Sequence, residues 1–163
     1  MQAINYSIEM FNLVRCWAQE LRGFELRHSM RKIDVFFYGL FMDERILREK
    51  GCSEANLRPA HLPGFTLRIG NRATLVPTQS GIVFGLIGSL SHAELENLYS
   101  DPSVQDYRPE PVLVYLKEDE PKAALCFNLV EPPALDEHNA DYAKKLRALA
   151  ESLNFPADYV ASI

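Results

Sequence analysis

Ile33-Asp34-Val35-Phe36-Phe37-Tyr38-Gly39-Leu40-Phe41-Met42-Asp43 is the stretch on which the reading of this chain turns. The β-branched and aromatic run from Ile33 to Tyr38 predicts a short buried strand, and Gly39 stops it. Asp43 is a good N-cap for a helix that continues through Ile46 and Leu47 to Lys50, with Gly51 in the C′ place. Strand, glycine turn and helix follow one another without a spacer. A glycine after a buried strand lets main-chain N–H groups face a concavity, and the helix start beside it adds a favourable field for a carboxylate or a developing oxyanion. The prediction is an anion or amide-carbonyl cradle at Gly39 to Phe41.

Downstream, Pro63-Gly64 opens a predicted strand carrying Phe65, Leu67 and Ile69, and Gly70-Asn71 turns it into a second strand, Ala73 to Val76. Pro77 to Gly81 reads as another turn. Ile82 to Leu90 is apolar at nearly every position with Gly85 and Gly88 inside, as expected of a central strand that bends or admits other backbone closely. Ser91-His92-Ala93-Glu94 is a capping box for a helix ending near Tyr99, where Asp101-Pro102 begins a loop. Strands near Val112 to Leu116 and Ala123 to Leu129 flank the acidic tip Glu118 to Pro121. Asn139 to Leu153 is helical, with Tyr142, Leu146, Leu149 and Leu153 on one face, and Pro156 starts a last turn reaching Ile163. About six short strands with inserted helices make an α+β protein, a small mixed and largely antiparallel β-barrel.

Upstream, Ile4, Ile8, Phe11, Val14, Trp17 and Leu21 recur at helical spacing and predict an N-terminal helix docked on the core or on a partner in a homodimer. Met30 stands immediately before Arg31-Lys32-Ile33, so residues 1–29 are set apart as an N-terminal extension and residues 30–163 as the domain proper. With 163 residues, 47% of them hydrophobic, the chain has one domain's worth of core. A formal charge of −5 leaves no basic surplus for phosphates, which argues against nucleic acid and anionic membranes as partners and for a small-molecule ligand. Cys16, Cys52 and Cys126 are odd in number and far apart, which points to a reducing compartment, with the cytoplasm as the default location. The four histidines show no metal-ligand spacing, and no apolar run approaches the roughly 20 residues of a membrane span.

One further pair carries chemistry. Tyr107-Arg108 stands just before a strand and after the Asp101-Pro102 loop. A tyrosine there can wall a pocket and offer its hydroxyl, and an arginine can fork onto a carboxylate. The plainer reading is an edge-strand tyrosine beside a solvated arginine.

In this order and spacing the pieces resemble the γ-glutamylcyclotransferase-like family, which includes γ-glutamylamine cyclotransferases and the AIG2-like proteins of plants. The resemblance runs over roughly residues 33 to 163. It rests on Tyr38-Gly39-Leu40-Phe41-Met42, Pro63-Gly64-Phe65 with Ala73 to Pro77, Gly81 to Gly85, Ser91 to Leu98, and Tyr107-Arg108. It implies a barrel whose Tyr-Gly loop binds a γ-glutamyl group, with Tyr38, Gly39, Leu40, Phe41, Tyr107 and Arg108 as substrate-binding residues. The family's reaction folds the substrate back so that its α-amine attacks its own γ-amide carbonyl, giving 5-oxoproline and a released amine or amino acid. It uses no cofactor, but it does need a carboxylate to take and return a proton.

At that carboxylate the chain departs from the family. The family's glutamate comes in a Leu-Asp-x-x-Glu-Gly stretch, whereas this chain reads Leu98-Tyr99-Ser100-Asp101-Pro102-Ser103, with Pro102 in the glutamate's register. Asp101, one residue off and one methylene shorter, is the first candidate for the acid. Asp106 and Glu110 are next; Glu94 is explained by its cap, and Glu96 by solvent. Two functions follow: a cyclotransferase using Asp101, favoured slightly because Asp101 stands so near the required position, or a binding module that kept the pocket and lost the base.

Overall fold

The computed structural model describes residues 31–52 and 55–163. The helix expected over Ile4 to Leu21 lies outside the described residues. Five strands are present among the described residues: β1 (Lys32–Phe37), β2 (Arg58–Ile69), β3 (Ala73–Ser91), β4 (Tyr107–Tyr115) and β5 (Pro121–Leu129). In the order β1-β3-β2-β4-β5 they close into a barrel. Every pairing is antiparallel except β1 with β5, which meet in parallel at Val35 and Leu125. This is the α+β barrel architecture that the sequence predicts.

The strand count falls from six to five because Ala73 to Val76 and Ile82 to Leu90 belong to one 19-residue strand. The proline-glycine stretch between them stays within the ladder instead of turning, and the irregularity lies in its partner. Gly64 adopts φ +82° and the β2–β3 register shifts between Pro63 and Phe65. Strand β3 is correspondingly tight there, since a Cβ on Gly81 would fall 2.2 Å from the Phe65 carbonyl oxygen. Strand β4 begins at Tyr107, earlier than expected, and takes in Pro109 and Pro111. Its only register partner on β2 is Tyr115 with His61, so both prolines sit on a stretch open on that side, where a missing N–H breaks no ladder bond.

Alternation splits the apolar residues into two layers. Phe36, Leu62, Leu75, Val83, Val114 and Cys126 fill the barrel, while Val35, Phe37, Leu86, Leu90 and Phe127 face outward under helices. Those helices are α1 (Glu44–Glu49), α2 (His92–Tyr99), α3 (Ala140–Ser152) and α4 (Ala157–Ser162). Their starts are built by local side chains. Asp43 accepts from the Arg45 amide, Ser91 and Glu94 form the reciprocal capping box, and Asn139 accepts from the Tyr142 amide at 2.9 Å. No helix among the described residues is long and apolar enough to cross a membrane.

Candidate functional site

Strand β1 delivers Tyr38 to the end of the barrel, where its ring is buried and its hydroxyl is fixed. That hydroxyl donates toward the Phe127 carbonyl oxygen at 2.6 Å and toward Asn128 Oδ1 at 2.9 Å. Asn128, only 2% exposed, accepts from the Leu75 amide at 3.3 Å and donates through Nδ2 to Glu110 Oε2 at 2.8 Å. Two strands are thereby bolted to the tyrosine through one side-chain amide.

After Tyr38 the chain enters a 3-10 turn, Leu40–Met42. Met42 N donates to the Gly39 carbonyl oxygen at 3.0 Å and Asp43 N to that of Leu40 at 3.1 Å. The amides that open such a turn, Leu40 and Phe41, have no acceptor within it. Tyr142 reaches over this turn from α3. A Cβ on Gly39 would lie 2.8 Å from the Tyr142 hydroxyl, so the glycine is required by close approach. Burial raises the Tyr142 pKa, and the Leu40 amide acting on its hydroxyl partly offsets that rise.

The turn forms part of the wall of a cavity of about 290 Å³. Tyr99, Tyr107, Phe127 and Tyr142 add four rings to it. Tyr99 stacks on Phe127 with centroids 3.6 Å apart and an interplanar angle of 13°, and Phe41 meets Tyr99 edge-on at 6.0 Å. Tyr107 donates its hydroxyl to the Ala73 carbonyl oxygen at 2.5 Å. Arg72 and Ser103 add polar groups. The Arg72 guanidinium donates to the Ser103 carbonyl oxygen at 3.1 Å and to Asp106 Oδ2 at 2.8 Å, and lies 5.7 Å from the Tyr107 ring centroid.

No protein-family model matches the chain, and no curated protein matches it in sequence. Solved structures do match. A γ-glutamyl cyclotransferase superposes with a TM-score of 0.68 at 20% identity, covering 81% of this chain and 86% of that one. An uncharacterized protein from Homo sapiens gives a TM-score of 0.66 at 19% identity over 80% of this chain and 85% of its own. A solution structure from Arabidopsis thaliana gives 0.59 at 22% identity, covering 77% of this chain and 87% of that one. This chain has the γ-glutamyl cyclotransferase fold.

Within the γ-glutamyl cyclotransferase fold, the residues expected at the site separate into two groups. Tyr38, Gly39, Leu40, Phe41 and Tyr107 all line the one cavity. Arg108 does not; it is exposed, and its guanidinium donates to the main-chain carbonyls of Gln105 at 2.7 Å and Tyr107 at 3.0 Å. Asp101 is not among the lining residues either. It pairs with Lys50 and accepts from Ser103 N at 2.9 Å and Ser103 Oγ at 2.6 Å. Those partners, Lys50 foremost, hold its carboxyl well below the usual carboxylate range. Asp106 is engaged by Arg72 and Glu110 by Asn128.

Reasoning from sequence missed Arg72, Tyr99 and Tyr142. Arg72 follows a turn and has no motif around it, Tyr99 ends a short helix, and Tyr142 shares its helical spacing with ordinary core positions. The chemistry of the assembled wall is consistent. Among the described residues no carboxylate lines the cavity. Burial pushes the hydroxyls of Tyr99 and Tyr107 upward, so they stay protonated at neutral pH and serve as hydrogen-bonding groups, not as bases.

Proposed function

We propose that this chain is a small-molecule binding protein of the γ-glutamyl cyclotransferase fold that holds a compound of the 5-oxoproline or γ-glutamyl type without cyclising it. The observation that carries this reading is the makeup of the cavity wall: the Gly39–Phe41 turn, a set of aromatic side chains and one guanidinium, with no carboxylate among the described lining residues. The first candidate acid, Asp101, is held as an ion by Lys50 and Ser103. Intramolecular aminolysis needs a group that accepts the ammonium proton and passes it to the leaving nitrogen, and an acid with a strongly lowered pKa is a weak base for that task. Binding needs only the donors that are there. The Phe41 amide and the Arg72 guanidinium complement a carboxylate or lactam carbonyl.

A second reading, cyclotransferase action through Asp101, is favoured by one specific observation. Asp101 is ionised and stands two residues from Ser103, which lines the cavity. Titration calorimetry with 5-oxoproline and γ-glutamyl ligands, run beside an assay for 5-oxoproline release from γ-glutamyl dipeptides, γ-glutamylamines and glutathione, separates the two. Binding without turnover is the expected result. Turnover abolished by Asp101→Asn would establish the second reading in its place, and absence of binding by a folded sample would sink both.

A further inference from the structure

The cavity wall is far more aromatic than a small polar amino-acid derivative requires. Phe41, Tyr99 and Phe127 form a contiguous packed set in which Tyr99 stacks on Phe127 and Phe41 abuts Tyr99 at 89°. Rings fixed by one another present a preformed apolar surface, which a ligand covers without ordering loose side chains. The lining supplies only one of the two charges that a zwitterion needs. Arg72 is the one charged residue in the lining, and no acid is present there, among the described residues, to receive an ammonium group. The guanidinium keeps donor capacity beyond its bonds to Ser103 O and Asp106, since an arginine carries five N–H groups. A five-membered lactam acid would satisfy Arg72 and the Gly39 turn and leave much of the roughly 290 Å³ against bare rings.

We infer that the cavity takes an acid bearing a flat apolar substituent, with its carboxylate toward Arg72 and its planar group among Phe41, Tyr99 and Phe127. This rests on the binding reading above and specifies the ligand class for the same site. An aromatic acid, or an N-aryl or N-arylalkyl lactam acid, has the matching chemistry; an aromatic amine has the matching shape and the wrong charge. Asp106 competes with such a ligand for Arg72.

Calorimetric titration of the full chain with 3-phenylpropionate, propionate and 3-phenylpropylamine tests this, with 5-oxoproline as the reference ligand. The aromatic acid is expected to bind at least about tenfold tighter than either of the other two probes. Arg72→Met is expected to bring acid and amine to within about threefold of each other, and Asp106→Asn to tighten the acid alone. Should Arg72→Met fail to fold, Asp106→Asn carries the test. Equal binding of acid and amine, or tightening of both by Asp106→Asn, would overturn the inference. Binding of 5-oxoproline with no binding of 3-phenylpropionate would also overturn it while leaving the binding function standing, and silence from every ligand would remove both.

Discussion

Gly39 and Tyr142 are the residues whose contact is most informative, because each explains the other. The glycine leaves room for a hydroxyl 2.8 Å from where its Cβ would be, and that hydroxyl sits over the cavity-lining turn, where the Leu40 amide bonds to it. Gly39→Ala is therefore expected to destabilise the protein by about 1–3 kcal/mol through overpacking. Adding Tyr142→Phe to Gly39→Ala removes the atom in the way, so urea unfolding should show the pair less costly than the sum of the single changes by about 1 kcal/mol. Strict additivity would mean that the two do not meet. Asn128 makes a separate prediction. Asn128→Ala strips an acceptor from the Leu75 amide and the Tyr38 hydroxyl inside the barrel, and is expected to cost about 1–3 kcal/mol in the same measurement. Asp101 supplies the pH dependence. Its carboxyl has a lower pKa folded than unfolded, so the stability it contributes is complete above the ordinary carboxylate range and is lost as pH falls through its depressed folded value. The gap in stability between wild type and Asp101→Asn should be present at pH 7 and shrink steadily on acidification below about pH 4.

Elements were legible where a few neighbouring residues decide them. Asp43, the Ser91–Glu94 box and Asn139 each start a helix through bonds to amides two or three residues away, and the sequence names the first two as caps and begins the third helix at Asn139. Strands fared less well, because their extent depends on a partner. Pro77 to Gly81 has the composition of a turn, yet the long β2 lies alongside and absorbs the irregularity at Gly64. The strand expected near Val112 begins earlier, at Tyr107, because Pro109 and Pro111 are accommodated where the strand is open on one side. Helix α3 joins element to site. Asn139 caps it and also donates to the Asn71 carbonyl oxygen at 3.3 Å, fixing the end from which Tyr142 projects. Asn139→Ala should cost about 1 kcal/mol and weaken ligand binding with it. A loss of stability at unchanged affinity would show that the helix start does not position Tyr142.

For the molecule as a whole, the closed order β1-β3-β2-β4-β5 brings the end of β1, the β2–β3 hairpin, the loop after α2 and the start of α3 around one cavity. Tyr38 to Phe41 and Tyr107 were legible as its members because the turn and the strand start announce them locally. Arg72 and Tyr142 were not, because only closure of the barrel and packing of the C-terminal helix carry them there. The loop after α2 leaves Asp101 paired with Lys50 and outside the cavity wall. The most direct measurement is the amide NMR spectrum of the full chain during titration with 5-oxoproline. The predicted result is a saturable shift centred on the resonances of Gly39, Leu40, Phe41 and Arg72, with the ligand unchanged over time. Shifts centred elsewhere, or consumption of a γ-glutamyl amide added in its place, would contradict the account.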